Sequence, residues 1–125
     1  GYPTVSPEWI IEQNPDIIIK RSSSPPYGYT GYEFDDDSWA KSLREEIMNR
    51  PGFEAINAVK EGKVYIEDTS LCGFLSVAYR AKVFHPDLFE DLDPQEIHQE
   101  YLNRFQRIDY DLNKHGVFWY PPLED

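Results

Sequence analysis

The chain has one cysteine, Cys72, and one methionine, Met48, in 125 residues. A lone cysteine excludes an internal disulfide framework and any cysteine-based zinc cluster, and it is compatible with any redox compartment. Basic residues are scarce as well: 12 Lys and Arg stand against 23 Asp and Glu, a formal net charge of −11 with neutral His. A general nucleic-acid binder needs a basic face to displace counterions from phosphates. Electrostatic docking on an anionic membrane needs a polybasic patch. The composition supplies neither. No apolar run approaches the roughly 20 residues of a membrane-spanning helix. What the chain does hold is apolar and aromatic material, 40% hydrophobic and 15% aromatic, too much for a disordered polyanion. Its length fits one domain of the usual ~100–200 residues.

Helix and strand signals alternate. Ser6-Pro7-Glu8 starts a helix with a Ser cap, Pro in the first turn and an acid beside it; Asn14-Pro15 stops it. Asp16 to Lys20 is a short β-branched run without alternation, the pattern of a strand covered on both faces. Asp35-Asp36-Asp37 precedes a helix with Trp39, Leu43 and Ile47 on one stripe, broken at Pro51-Gly52. A helical turn with Phe53, Ile56 and Val59 leads to a second strand, Lys63 to Glu67. Leu71, Leu75, Ala78 and Lys82 mark a further helix, ended by His85-Pro86. Asp93-Pro94-Gln95-Glu96 is a full start signature for a helix whose expected core face is Ile97, Tyr101, Phe105 and Ile108. The tail from Val117 to Pro122 is expected to lie extended over the core, and Cys72 is expected to be buried packing.

These elements predict an α/β class: a three-layer α/β/α lobe with a parallel sheet. Two strands are too few to separate two helical layers, so neighbouring strands are expected in sequence that this chain lacks.

Three blocks carry a resemblance. Val5-Ser6-Pro7-Glu8 through Asn14-Pro15-Asp16-Ile17-Ile18-Ile19 resembles the VS-x-E to NPD-aliphatic stretch of substrate-binding proteins of iron–siderophore, haem and cobalamin ABC importers. Pro51-Gly52-Phe53 through Ala58-Val59-Lys60-Glu61-Gly62-Lys63-Val64-Tyr65 resembles that family's PGW to AVKNGRVY stretch. Ala81-Lys82-Val83-Phe84-His85-Pro86-Asp87-Leu88-Phe89 resembles its LAK to HPE-x-F stretch, and the blocks follow in family order across most of residues 5–106. The resemblance implies that residues 1–125 form a single C-terminal lobe, a truncated half of a two-lobed binding protein whose N-terminal lobe and linking helix are absent. It implies an extracytoplasmic protein, periplasmic or cell-surface. Such a protein performs no chemistry, carries no resident cofactor, and delivers a ferric siderophore, haem or corrinoid (cobalamin) to ABC permease subunits.

The site residues follow from placement and resemblance together. Ligands of open α/β sheets bind at the carboxyl edge of the strands, and the long aromatic loop after the first strand falls there. Arg21 is a counter-charge for an anionic chelate, and Tyr27, Tyr29 and Tyr32 offer rings to stack on catecholate or tetrapyrrole. The same tyrosines can equally cover the domain's own core. Asp68, Thr69 and Ser70, after the second strand, form the other candidate ligand contact, with a plain helix cap as the alternative. Glu8 resembles the exposed acid that pairs with arginines on the permease; as chemistry alone it is also an ordinary first-turn acid. His85, His98 and His115 have no metal-ligand spacing, and Asp35-Asp36-Asp37 lacks the glycine and distant glutamate of a calcium loop. Two rival functions remain open on these residues: a stand-alone interaction domain using the aromatic loop, and a small hydrolase using paired carboxylates.

Overall fold

The structure, a computed structural model, describes residues 6–71 and 73–123; the expectation for Cys72 lies outside them. In chain order the elements are α1 (Pro7–Gln13), β1 (Ile18–Ser22), α2 (Ser38–Met48), a 3-10 turn (Phe53–Ala55), α3 (Asn57–Lys60), β2 (Val64–Asp68), α4 (Phe74–Phe84), α5 (Pro94–Arg104) and β3 (Trp119–Tyr120). The α/β class is as the sequence reads.

β1 and β2 pair in parallel, with Ile18 opposite Val64 and Ser22 opposite Asp68. The third strand, β3, adds antiparallel to β2 through Ile66–Tyr120 and Glu67–Trp119. The tail packs into the cores as expected, through Val117, Phe118 and Trp119, and in addition joins the sheet, in the order β1-β2-β3. Two residues are too short to show strand periodicity, so only tertiary pairing defines them.

Alternation along the strands builds two cores, one on each face. Val64 and Ile66 point to a cluster with Ala40, Ile47, Phe53, Ile56 and Ala58, with Ile18 packed against it. Tyr65, Ile17 and Ile19 point the other way, toward Leu71, Leu75, Tyr79, Val83 and Leu102. Helices α2 and α3 thus cover one face and α4 and α5 the other, giving the three layers.

The helix signals hold unevenly. Ser6 Oγ accepts from the Trp9 amide at 3.1 Å, and the Asp93 carboxylate accepts from the Gln95 and Glu96 amides at 3.1 and 3.2 Å. The expected face of α5 holds in its first half, where Ile97 and Tyr101 pack, partly buried, against the second core. The residues the helix buries are Pro94, His98 and Leu102, while Phe105 is 75% and Ile108 46% exposed. The helix ends at Arg104, so neither residue sits on it. α4 begins at Phe74 with Gly73 as its cap; Leu71 precedes it, and Asp68-Thr69-Ser70 caps no helix.

Candidate functional site

β1 and β2 end side by side, and the backbone locks them there: the Thr69 amide donates to the Ser22 carbonyl at 2.7 Å. Two loops leave this edge, one of residues 23–37 and one that begins at Thr69. Asp68 fastens the first to the sheet. Its carboxylate, 3% exposed, accepts from Thr30 Oγ1 at 2.5 Å, from the Ser70 amide at 2.9 Å and from the Ser70 hydroxyl. Ser22 Oγ lies 3.0 Å from Thr30 Oγ1. Gly31, at φ +107°, then exchanges two backbone hydrogen bonds with Val117, 2.7 and 3.1 Å. A positive φ of this kind is one glycine adopts without strain.

The predicted ligand residues consequently fall into two groups. Asp68 and Ser70 face inward and are spent on closing the loop. Tyr32 packs edge-on against Phe118 at 4.6 Å and pairs its hydroxyl with His98 Nε2 at 2.7 Å. Tyr29 packs edge-on against Phe34 and Trp39 at 5.7 and 5.9 Å with half its surface open. These two tyrosines cover the domain's own core, the alternative the sequence left open. Arg21, Tyr27 and Thr69 remain outward, and a hollow of about 320 Å³ brings all three together with Ser23, Trp39 and Leu43. Tyr27 is 81% exposed.

The electrostatics of this edge centre on Glu67, which pairs with Arg21 in the strand register and is completely buried. Arg80, on α4, grips the Glu67 carboxylate with Nε at 3.0 Å and Nη2 at 3.2 Å, and Ser76 Oγ donates to it at 3.0 Å. Arg21 Nε stands 3.7 Å from the same carboxylate with its side chain 51% exposed; that of Arg80 is 40% exposed. One buried anion between two half-open guanidiniums leaves a net positive spot on an acidic protein. Planar guanidinium forks pair well with carboxylate, phosphate and other multi-oxygen anions.

Sequence reasoning missed Glu67, Arg80, Thr30 and His98. A usable signal existed for the first two, since a glutamate on the inward side of a buried strand demands a cationic partner from a covering helix. His98 is completely buried, and burial holds its imidazole well below the ordinary value, at about 4. Burial likewise pushes the phenols of Tyr65 and Tyr79 up. Asp35 is pulled down, first by the Gly116 amide and then by His115, and Asp36 by the Ser38 hydroxyl and amide. That is the direction opposite to a hydrolase's general acid. Glu8 is exposed in the first turn of α1 and lines neither hollow. Among the described residues, no group of three or more His, Cys, Asp or Glu is placed to hold a metal ion, and no helix is long and apolar enough to cross a membrane.

Residues 1–71 match the family described as periplasmic binding protein. The chain is 25% identical over 119 residues to the molybdate-binding protein MolA of Haemophilus influenzae, covering 88% of this chain and 29% of that protein. In structure it is similar to the TroA-like periplasmic binding protein FepB from Veillonella parvula, with a TM-score of 0.77 and 27% identity over 94% of this chain and 35% of the other. The chain thus spans about a third of the length of these relatives.

Proposed function

We propose that this chain, which belongs to the periplasmic binding protein family, is the C-terminal lobe of the solute-binding component of an ABC importer and holds an anionic ligand at the carboxyl edge of its parallel strands. The observation that carries this reading is the Arg21–Glu67–Arg80 cluster beside the hollow of Arg21, Tyr27 and Thr69. Fixed, half-open guanidiniums at that edge supply charge and directed donors to ligand oxygens. The exposed Tyr27 ring supplies a stacking surface. The lobe binds and orients without making or breaking bonds, and a half-cleft buries only part of the ligand, so the rest of the polypeptide closes over it. The ligand class is a ferric siderophore, haem or corrinoid.

A second reading, a bare oxyanion, is favoured by the Haemophilus relative named for molybdate; a tetrahedral dianion needs only the half-exposed guanidinium of Arg21, without Tyr27. Delivery occurs outside the cytoplasm, and Glu8, exposed and fixed in direction by its helix, docks on arginines of the permease. The test is calorimetric titration of the full-length polypeptide with a ferric catecholate, haem, cobalamin and molybdate. One of the first three should bind saturably, and Arg21→Ala should weaken it about tenfold, the worth of one charge-assisted hydrogen bond. Binding of molybdate alone supports the second reading, and binding of none overturns both.

A further inference from the structure

A larger hollow, about 580 Å³, lies between the first turn of α5 and the tail and shares no residue with the first. Its charged lining is of one sign: Asp35, Asp37, Asp93 and Glu96, with no Lys or Arg among the described residues around it. Two of these acids are committed. Asp35 accepts from the Gly116 amide at 3.0 Å and pairs with His115 at 3.2 Å, and Asp93 caps α5. Asp37 and Glu96 stand exposed at the mouth. The wall is aromatic, with Trp119 stacked on Tyr79 at 4.9 Å and 14°.

Two buried nitrogens in this wall have no hydrogen-bond partner among the described residues, Nδ1 of His98 and Nε1 of Trp119. His98 is completely buried and Trp119 is 8% exposed. Leaving a buried polar group unpaired costs about 1–3 kcal/mol each, and native structures seldom retain such groups without a reason. Indole Nε1–H donates only, so the missing partner of Trp119 is an acceptor. His98 Nε2 is engaged with the Tyr32 hydroxyl at 2.7 Å, which leaves Nδ1 to donate or accept according to tautomer. The hollow is of a size that takes small molecules.

We propose that this hollow is a second binding site, for a small organic cation that carries an oxygen acceptor. The uncommitted carboxylates of Asp37 and Glu96 attract the positive charge. The apolar part of the lining, Pro94, Leu112, Val117, Phe118 and Pro122, favours an alkylated cation over a strongly hydrated metal ion. The oxygen satisfies the Trp119 indole through a small rearrangement of the ring, because solvent does not reach that nitrogen. The site is chemically opposite to the Arg21–Arg80 edge, so one ligand does not fit both.

The test uses the full-length polypeptide, ¹⁵N-labelled at tryptophan, and three matched probes. Choline has the cation and the oxygen, tetramethylammonium only the cation, and choline's neutral carbon isostere only the oxygen. Choline should shift the Trp119 indole resonance saturably, with each control at least about tenfold weaker. Glu96→Gln with Asp37→Asn should weaken choline about tenfold while leaving anion binding at the other edge unchanged. These substitutions are exposed, so folding is not at issue; Trp119→Phe serves only to assign the resonance. No saturable shift with choline, equal shifts from the neutral isostere, or indifference to the double substitution would overturn the proposal.

Discussion

Arg80 closes on Glu67 with two hydrogen bonds, 3.0 and 3.2 Å, around a carboxylate that solvent does not reach. The pair joins the second helical layer to the strand that carries the proposed binding edge. Its arginine is half open while its acid is sealed, so losing one partner has unequal effects. Arg80 can rehydrate; Glu67 cannot. Arg80→Ala should therefore destabilise the fold more than Glu67→Gln, which keeps an acceptor for the guanidinium. Expected losses are about 2–4 kcal/mol for the first and about 1–2 kcal/mol for the second, read from urea unfolding. Equal stability of Arg80→Ala and wild type would mean that Glu67 has found another cation.

Arg21 offers the contrasting case. It sits 3.7 Å from the same acid with its side chain 51% exposed, the geometry of a weak, screened ion pair. Arg21→Ala should change stability by less than about 0.5 kcal/mol while reducing anion affinity about tenfold. Rising salt should erode that affinity as surface charge is screened. A variant that unfolds but binds normally when folded would reverse the assignment of the two arginines.

Much of this architecture is legible in the sequence where one residue's environment follows from local pattern. The caps at Ser6 and Asp93, the short continuous apolar strands and the helical spacing of Trp39, Leu43 and Ile47 depend on neighbours a few residues away. Other features arise only from long-range contacts. The Asp68–Thr30 bond spans 38 residues of sequence, so a residue that resembles a ligand contact becomes a latch. His98 is polar by type, and a hydrophobic-stripe count skips it, yet it is completely buried. Skipping it leaves a completely buried residue off the expected face of α5 and carries that face on to Phe105, beyond the helix end. Trp119 and Tyr120 become a strand because Glu67 and Ile66 pair with them. Of the three tyrosines, only contacts decide that Tyr29 and Tyr32 serve the core and Tyr27 does not.

The latch makes its own prediction. Asp68→Ala leaves the Ser70 amide without its acceptor and Thr30 Oγ1 with only Ser22 Oγ and the Ser23 carbonyl, at an expected cost of about 1–3 kcal/mol. The effect should concentrate in the loop: amide hydrogen exchange at Thr30 and Gly31 should accelerate more than at Val64 or Ile66 in the core. Uniform acceleration would indicate that Asp68 supports the whole sheet instead.

Gly28 tests the same loop sterically. A Cβ there would stand 2.6 Å from Ser22 Oγ, 2.8 Å from the Ser23 carbonyl oxygen and 2.8 Å from the Trp39 ring. The carbonyl is backbone and cannot swing aside, so Gly28→Ala must displace the loop. Overpacking of this kind typically costs about 1–3 kcal/mol. Because Ser23 and Trp39 line the hollow that holds Arg21 and Tyr27, anion affinity should fall along with stability. Retained affinity in a destabilised Gly28→Ala would separate the loop from the site.

His98 gives the protein a pH dependence whose sign follows from its burial. Its folded-state value is lowered from 6.5 to about 4 because the imidazole is desolvated, between the Tyr32 and Phe118 rings at 5.8 and 4.8 Å. Between those values the unfolded chain binds a proton that the folded chain refuses. The stability associated with a neutral His98 is therefore complete above about pH 6.5, declines as pH falls and levels off below about pH 4. A full excursion amounts to about 3 kcal/mol. Asp35 and Asp36, lowered from 3.8, contribute the same sign of change, but below the histidine window. Urea midpoints from pH 7 to pH 4 should thus decline in wild type and stay nearly flat in His98→Leu, an apolar replacement that cannot charge. An unchanged slope in His98→Leu would place the titrating group elsewhere in the fold.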